Sequence, residues 1–348
     1  NLNLNLIESG GVPIKGYFMK NKIGIPRGLL YYHYFPAWKT FFENLGMEIV
    51  LSSKTNKKIL NRGVRIAVDD LCLPFKAYFG HVSELINKFD LDYIFIPRLI
   101  SLGNNNTVCP KFMGLSDMVR TIFKERPPLL DPEINLNYRF FPVRRIFYNI
   151  GKELGCSWFK IEKAYQKALI TQKMFEKILV QGNTFKQALK IIENINDKNI
   201  IENNNINNQS QLIADNPDRK FHKKNHHSKE NDNQKKLSIA IMGHSYIVND
   251  EYISLGIIKH LKNLGVNILT HEMIKKEKRE ISSLDQNKPS FWFYNRQIMG
   301  ATYHLMNKVK KKVDGIIQVT AFGCGPDSLV KELISIKSKN RKDSFLLN

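Results

Sequence analysis

The sequence predicts an α/β protein of two doubly wound (Rossmann-like) parallel-sheet lobes, with a helical arm and a disordered linker between them. Three observations lead there. Short, continuous apolar runs, such as "IGI" at 23–25 and "YIFI" at 93–96, alternate with stretches of helical periodicity, the pattern of strands buried on both faces of a parallel sheet. The segment 196–236, "NDKNIIENNNINNQSQLIADNPDRKFHKKNHHSKENDNQKK", has no apolar periodicity and divides the chain. The two flanks of that segment resemble each other, which points to one α/β plan used twice.

The first 18 residues, "NLNLNLIESGGVPIKGYF", precede Met19 and read as a poorly ordered leader. The first lobe is assigned to 19–155. It opens with "KIGIPRG" (22–28) as strand and turn, and a helical stretch follows that ends in "FFENLGMEIVLSS" (41–53). There a glycine closes the helix and a second strand begins. "LDYIFIPR" (91–98) supplies a third, Asp-led strand. Residues 156–195 form the arm, with periodic stretches near 157–180 and 184–195 that carry no recognisable chemistry. The linker, 196–236, is Asn-, Lys- and His-rich and buries too little apolar surface to offset its ordering entropy. The second lobe, 237–348, repeats the plan with "SIAIMGHS" (238–245), "HLKNLGVNILTHE" (260–272) and "VDGIIQVTAF" (313–322). The lobe ends in "RKDSFLLN".

Composition narrows the function classes. The net charge is +21 across 348 residues, which invites a nucleic-acid partner. No RNP-like, zinc-finger or helix-turn-helix signature accompanies it, and much of the charge lies in 217–236, so nucleic acid is not the expected partner. No apolar stretch has the roughly 18–20 residues that a membrane span requires, and no signal-peptide pattern opens the chain. The expected location is cytoplasmic. Four cysteines without a C-x-x-C pair argue against both a disulfide framework and a zinc ribbon. In a reducing compartment such thiols are inert core residues, metal ligands or catalysts.

Three of the four share a local grammar. Cys72 in "VDDLCLPF", Cys109 in "NTVCPKF" and Cys324 in "FGCGPDS" each have a proline one or two positions on, at Pro74, Pro110 and Pro326. Proline is favoured in the first helical turn, so each thiol is expected at a helix start, where the macrodipole lowers its pKa. Thiolates are the ligands of soft metals and iron–sulfur clusters. Cys156, in "ELGCSWFK", lacks the proline and reads as a packing residue. Arg27 and Arg98 both follow Ile-Pro at the carboxyl end of a strand, placed either to grip phosphate or carboxylate or to pair with Asp69 or Asp70. His244, with Asp250 and Glu251 behind it, occupies the matching corner of the second lobe. His81 reads as packed. Arg27, Arg98 and His244 are the candidate cleft residues, because doubly wound lobes place ligands beyond the carboxyl ends of their strands. No Walker or G-x-G-x-x-G motif is present, so nucleotide binding has no direct support.

The stretches "KIGIPRGLLYYHYFPAWKTFFENLGMEIV" (22–50), "VDDLCLPFKAYFGHV" (68–82), "CPKFMGLSDMVR" (109–120), "MGHSYIVNDEYISLGIIKHL" (242–261) and "VDGIIQVTAFGCGPDSLVKEL" (313–333) together resemble the bacterial acyl-CoA dehydratase activase-related proteins. These are similar in organisation to the component B subunits of 2-hydroxyacyl-CoA dehydratases. The resemblance implies a 4Fe–4S cluster held by three cysteines, with one iron left open. By position the ligands would be Cys72, Cys109 and Cys324, as both cofactor-binding and metal-binding residues. It also implies a partner, an ATP-dependent activase of the actin/Hsp70/sugar-kinase fold that injects an electron, and an acyl-CoA-like substrate for dehydratase-type or reductive chemistry. The alternative is a non-catalytic scaffold or assembly partner of a CoA enzyme activase, with structural cysteines. The chain departs from the family pattern in two ways: the pattern continues past the point where this chain stops at "RKDSFLLN", which implies a C-terminally truncated second lobe, and "GHSY" stands at 243–246 where "GHPY" is expected.

Overall fold

The computed structural model describes residues 21–103, 106–137, 143–201, 236–283, 292–308, 313–339 and 345–347. The leader at 1–18 and nearly all of the linker lie outside the described residues. The first sheet contains β1 (Lys22–Ile25), β2 (Glu48–Leu51), β3 (Tyr93–Phe95) and β5 (Leu129–Leu130) in the order β2-β1-β3-β5. The second contains β7 (Ser238–Met242), β8 (Asn267–Thr270), β9 (Gly315–Gln318) and β10 (Phe345–Leu347), in the order β10-β9-β7-β8. Every pairing in both is parallel. Counted from the first strand of each lobe, the order is the same doubly wound one, second-first-third-fourth.

The duplication extends to single residues. Asp92 and Asp314, which lead the third strands, each accept a hydrogen bond from the first residue of the neighbouring strand. Lys22 N donates to Asp92 Oδ2 at 2.7 Å and Ser238 N to Asp314 Oδ2 at 2.8 Å. Both first helices of the repeat, α1 (Tyr31–Asn44) and α10 (Ile257–Asn263), end in Asn-Leu-Gly. In each the glycine is left-handed, with φ of 81° at Gly46 and 73° at Gly265. The next amide reaches back over the turn, Met47 N to Phe42 O and Val266 N to Leu261 O, which is a Schellman closure.

Pro97 and Pro132 interrupt the first sheet. Beyond them β4 (Arg98–Ser101) and β6 (Glu133–Asn135) pair again with the offset seen earlier, Ile94 opposite Leu129 and Arg98 opposite Glu133. Proline lacks the ladder N–H, so one sheet divides into two short stretches rather than ending.

Between these strands lie α2 (Lys57–Ile66), α3 (Leu73–Lys88), α4 (Pro110–Met113) and α5 (Leu115–Ile122), and α6 (Val143–Glu153) follows β6. The arm is α7 (Trp158–Val180) and α8 (Phe185–Ile201). Helix α8 runs past residue 195 into the stretch that composition assigns to the linker, so the helical backbone ends later than expected. Helix α7 packs along α1 and brings Ile161, Ala164, Ala168, Phe175 and Ile178 into the first core. That core does not stop at the lobe. It takes in Tyr246, Ile247, Phe293 and Tyr294 from the second, which carries α9 (Ser245–Val248), α11 (Lys276–Ser283), α12 (Phe293–Lys308) and α13 (Gly325–Lys339) as well as α10. A smaller second core gathers Ala240, Met242, Ile298, Ile316, Val330 and Ile334. No described helix is long and apolar enough to cross a membrane.

Candidate functional site

Each grammar-sharing cysteine does sit at a helix start. Cys72 is the N-cap of α3 and Cys109 of α4, each with proline in the first two positions. Cys324 immediately precedes α13, whose second residue is Pro326. His244 is the N-cap of α9. These helix starts meet at the junction of the lobes.

Aromatic packing holds them there. Phe112, three residues after Cys109, lies 5.2 Å from the ring of Phe75, three residues after Cys72. On its other side stand Tyr246 at 5.9 Å and Tyr294 at 6.0 Å, both from the second lobe. The backbone closes the same junction: Phe293 N donates to Thr107 O at 2.8 Å, and Leu73 N to Phe322 O at 3.2 Å. Gly323, with φ of 77°, passes so close that a Cβ there would stand 3.3 Å from Cys72 Cα. This bare approach brings the Cys72 and Cys324 corners together across the lobes.

The electrostatics show the same gathering. The buried Tyr246 phenol is held well above its ordinary pKa by burial, then by charges at Asp327, Cys324, Cys72 and Cys109. Donor atoms of His244, Cys324 and Asp327 all lie within 4.8 Å of one another. His244 Nε2 is 2.8 Å from Asp327 Oδ1, which also accepts from Asn295 Nδ2 at 2.8 Å. Burial pushes the Asp327 carboxyl up, but the His244 charge and the contacts to His244, Cys324 and Asn295 outweigh it and hold the pKa below its usual value. Asp327 was not singled out from the sequence. Its signal was available, since an acid three residues after a capping cysteine shares that helix face.

Three expectations need correcting. The helix starts do not make the thiols acidic. Burial raises all three pKa values, and the Lys111 charge at Cys72 and Cys109, with the amides of Phe75, Lys111 and Asp327, only partly opposes it. At Cys324 the Asp327 charge adds to the rise. Desolvation of a thiolate exceeds what a few amide dipoles return.

The arginines, secondly, leave Asp69 and Asp70 alone. Arg98 Nη2 bonds Asp117 Oδ1 at 2.6 Å and Ser116 Oγ at 3.2 Å. Arg27 donates from its backbone N to Ser52 Oγ at 2.9 Å and from Nε to Ser52 O at 2.7 Å. Neither joins the thiols.

Thirdly, Asp250 does not stand behind His244, which pairs with Asp327 instead. Asp250 accepts from Tyr32 Oη at 3.2 Å and from Thr55 Oγ1. Thr55 Oγ1 meets His81 Nε2 at 3.0 Å, and His81 Nδ1 meets Ser52 Oγ at 2.9 Å. Since Thr55 donates to the carboxylate, His81 must donate from Nε2 and accept at Nδ1. A directed chain thus runs from Arg27 across both lobes to Asp250. His81 is packed, as expected. Glu251 pairs with Lys186.

Cys156 lies apart, half-buried, with Sγ 3.9 Å from the carbonyls of Leu45 and Leu154. A cavity of about 360 Å³ opens beside β5, β6 and α6, and its lining includes none of the thiols.

Fold and junction together define a class: a duplicated, doubly wound α/β protein with a thiol-, histidine- and carboxylate-lined centre where the lobes meet. The family follows from comparison. Residues 22–274 match the family described as CoA enzyme activase uncharacterised domain (DUF2229), and the chain belongs to that family. The match ends before Cys324 and Asp327. No curated protein matches the chain.

Proposed function

We propose that Cys72, Cys109 and Cys324 hold a 4Fe–4S cluster. On this reading the protein accepts electrons from an ATP-dependent activase of the actin/Hsp70/sugar-kinase fold, for reductive or dehydratase-type chemistry on an acyl-CoA-like substrate. The observation that carries the reading is that the helix starts bearing the three cysteines, from both lobes, lie together at the junction. Soft sulfur donors are the ligand type of iron–sulfur clusters.

The residues present fit such a group. Thiols raised by burial bind metal as thiolates once a cation replaces the proton. The N-termini of α3 and α13, two long helices, favour the net negative charge that thiolate ligation brings. When bound, the cluster would supply one-electron chemistry. The protein's own part is to orient the thiols through Phe112 and Gly323 and to leave Cys109 and Cys324 only half-buried, within reach of a partner's surface.

The test is anaerobic purification with iron and acid-labile sulfide analysis. Brown protein is expected, with Cys324→Ala losing its iron and Cys156→Ala keeping it; equal iron in both variants would overturn the ligand assignment. A colourless, folded protein that still binds an activase would favour the scaffold reading.

A further inference from the structure

The cluster reading leaves one position around the three thiols unassigned, and the junction holds a candidate donor of its own. Asp327 is 3 % exposed. Its Oδ1 is saturated by His244 Nε2 and Asn295 Nδ2, both at 2.8 Å. Its Oδ2 is buried and has no hydrogen-bond partner among the described residues, although the Cys324 thiol bears on the same carboxylate. A buried acceptor left unpaired is destabilising, and such an orphan in a native core asks for an ion or water that completes it. Asp327 lies in the first turn of α13, three residues after Cys324, so carboxylate and thiol leave one helix start on the same side. Its charge bears on Cys72 and Cys109 as well as on Cys324.

We infer that Asp327 is the fourth protein ligand of the centre, through Oδ2, completing a donor set of three sulfurs and one oxygen. His244 and Asn295 are then positioning residues. They hold Oδ1 and turn Oδ2 inward, as outer-shell hydrogen bonds commonly orient ligating carboxylates. His244 takes the positioning role because its Nε2 is engaged with Asp327 Oδ1. This inference rests on the cluster reading and narrows it. With four protein donors no iron is left open, and a substrate carbonyl has no corner to occupy. The centre then suits relay of single electrons to another site better than direct dehydration.

The experiment uses the full chain, reconstituted anaerobically with iron and sulfide, with cyanide as the probe of an open iron. Iron content and the electron paramagnetic resonance spectrum of the reduced protein are read for wild type, Asp327→Asn and Asp327→Cys. The wild-type spectrum is expected to be unchanged by cyanide. Asp327→Asn, which keeps the size of the side chain, should retain iron but shift its spectrum when cyanide is added. Asp327→Cys should give a new spectrum that cyanide leaves alone. A wild-type spectrum that moves with cyanide as the Asn variant does would overturn the inference while leaving the three-thiolate reading intact. If Asp327→Asn takes up no iron, recovery of iron in Asp327→Cys supports the assignment. Two iron-free variants with native circular dichroism would overturn the inference. Wild type without iron would overturn both readings.

Discussion

Gly323 offers a sharp test of how the junction is built, because a matched control exists elsewhere in the same lobe. Gly323→Ala places a Cβ at a left-handed residue, φ 77°, and 3.3 Å from Cys72 Cα. Gly265→Ala imposes the same backbone strain, φ 73°, with nothing within 4 Å of the new methyl group. The left-handed conformation costs a non-glycine residue about 1–2 kcal/mol, and the stiffer unfolded chain returns roughly 0.4–1 kcal/mol. Each variant should therefore lose about 1 kcal/mol, or about 2 °C in Tm for a chain of this size. Only Gly323→Ala also requires the Cys72 and Cys324 corners to part by a few tenths of an ångström. Thermal unfolding should then report similar losses for the two variants, whereas iron uptake after reconstitution should fall in Gly323→Ala alone. Equal iron uptake would show that the close approach of the two corners has no part in metal binding, and the geometric argument for the centre would fail.

Three further outcomes are expected. His81, 1 % exposed, has its pKa lowered from 6.5 to about 4, chiefly by burial, with Glu84 opposing and Arg27 assisting. A pKa depressed on folding means stability that is complete above pH 6.5 and is lost as pH falls toward 4, here about 3 kcal/mol. Denaturant melts at pH 7 and pH 4 should show His81→Gln losing less stability over that interval than wild type; an identical pH dependence would discount the buried neutral imidazole. Phe112→Ala removes the ring on which Phe75, Tyr246 and Tyr294 converge. It should cost about 3–5 kcal/mol and lower iron uptake, and a loss below about 1 kcal/mol would show that the junction does not depend on that ring. Gly80→Ala would drive a Cβ to 2.0 Å from Ile59 O, in the mutual glycine contact of α2 and α3. A loss of about 1–3 kcal/mol in chemical denaturation is expected for such overpacking, and no loss would contradict the close packing of α2 on α3.

Much of this architecture can be read along the chain, and the reason is local. Strand runs, the Asn-Leu-Gly helix ends and the Asp-led third strands each act on residues within one or two turns, or on an adjacent strand. Repetition then made the duplicated plan visible. The cysteine–proline spacing likewise placed three thiols at helix starts, because capping is a property of a few consecutive residues. The cleft residues were harder. Arg27 and Arg98 share an Ile-Pro-Arg context, yet Arg27 is anchored on Ser52 and Arg98 on Asp117. Nothing within the tripeptide distinguishes those partners.

What lay beyond the linear text is everything that crosses between the lobes. The spacing of Cys72, Cys109 and Cys324 matches no compact motif, and their helix starts come together only where Phe112 docks against Tyr246 and Tyr294 and Gly323 lets two backbones touch. Thiol ionisation was misjudged for the same reason. A helix start can be seen in sequence, but the desolvation that outweighs it comes only with burial in the folded protein. Asp327 gains its meaning only beside His244 and Asn295, some 30 to 80 residues away along the chain. Backbone conformation is set by near neighbours, so it was legible in the residues. Burial and charge are set by whatever folding brings alongside, and for this protein that was decided when the two sheets docked.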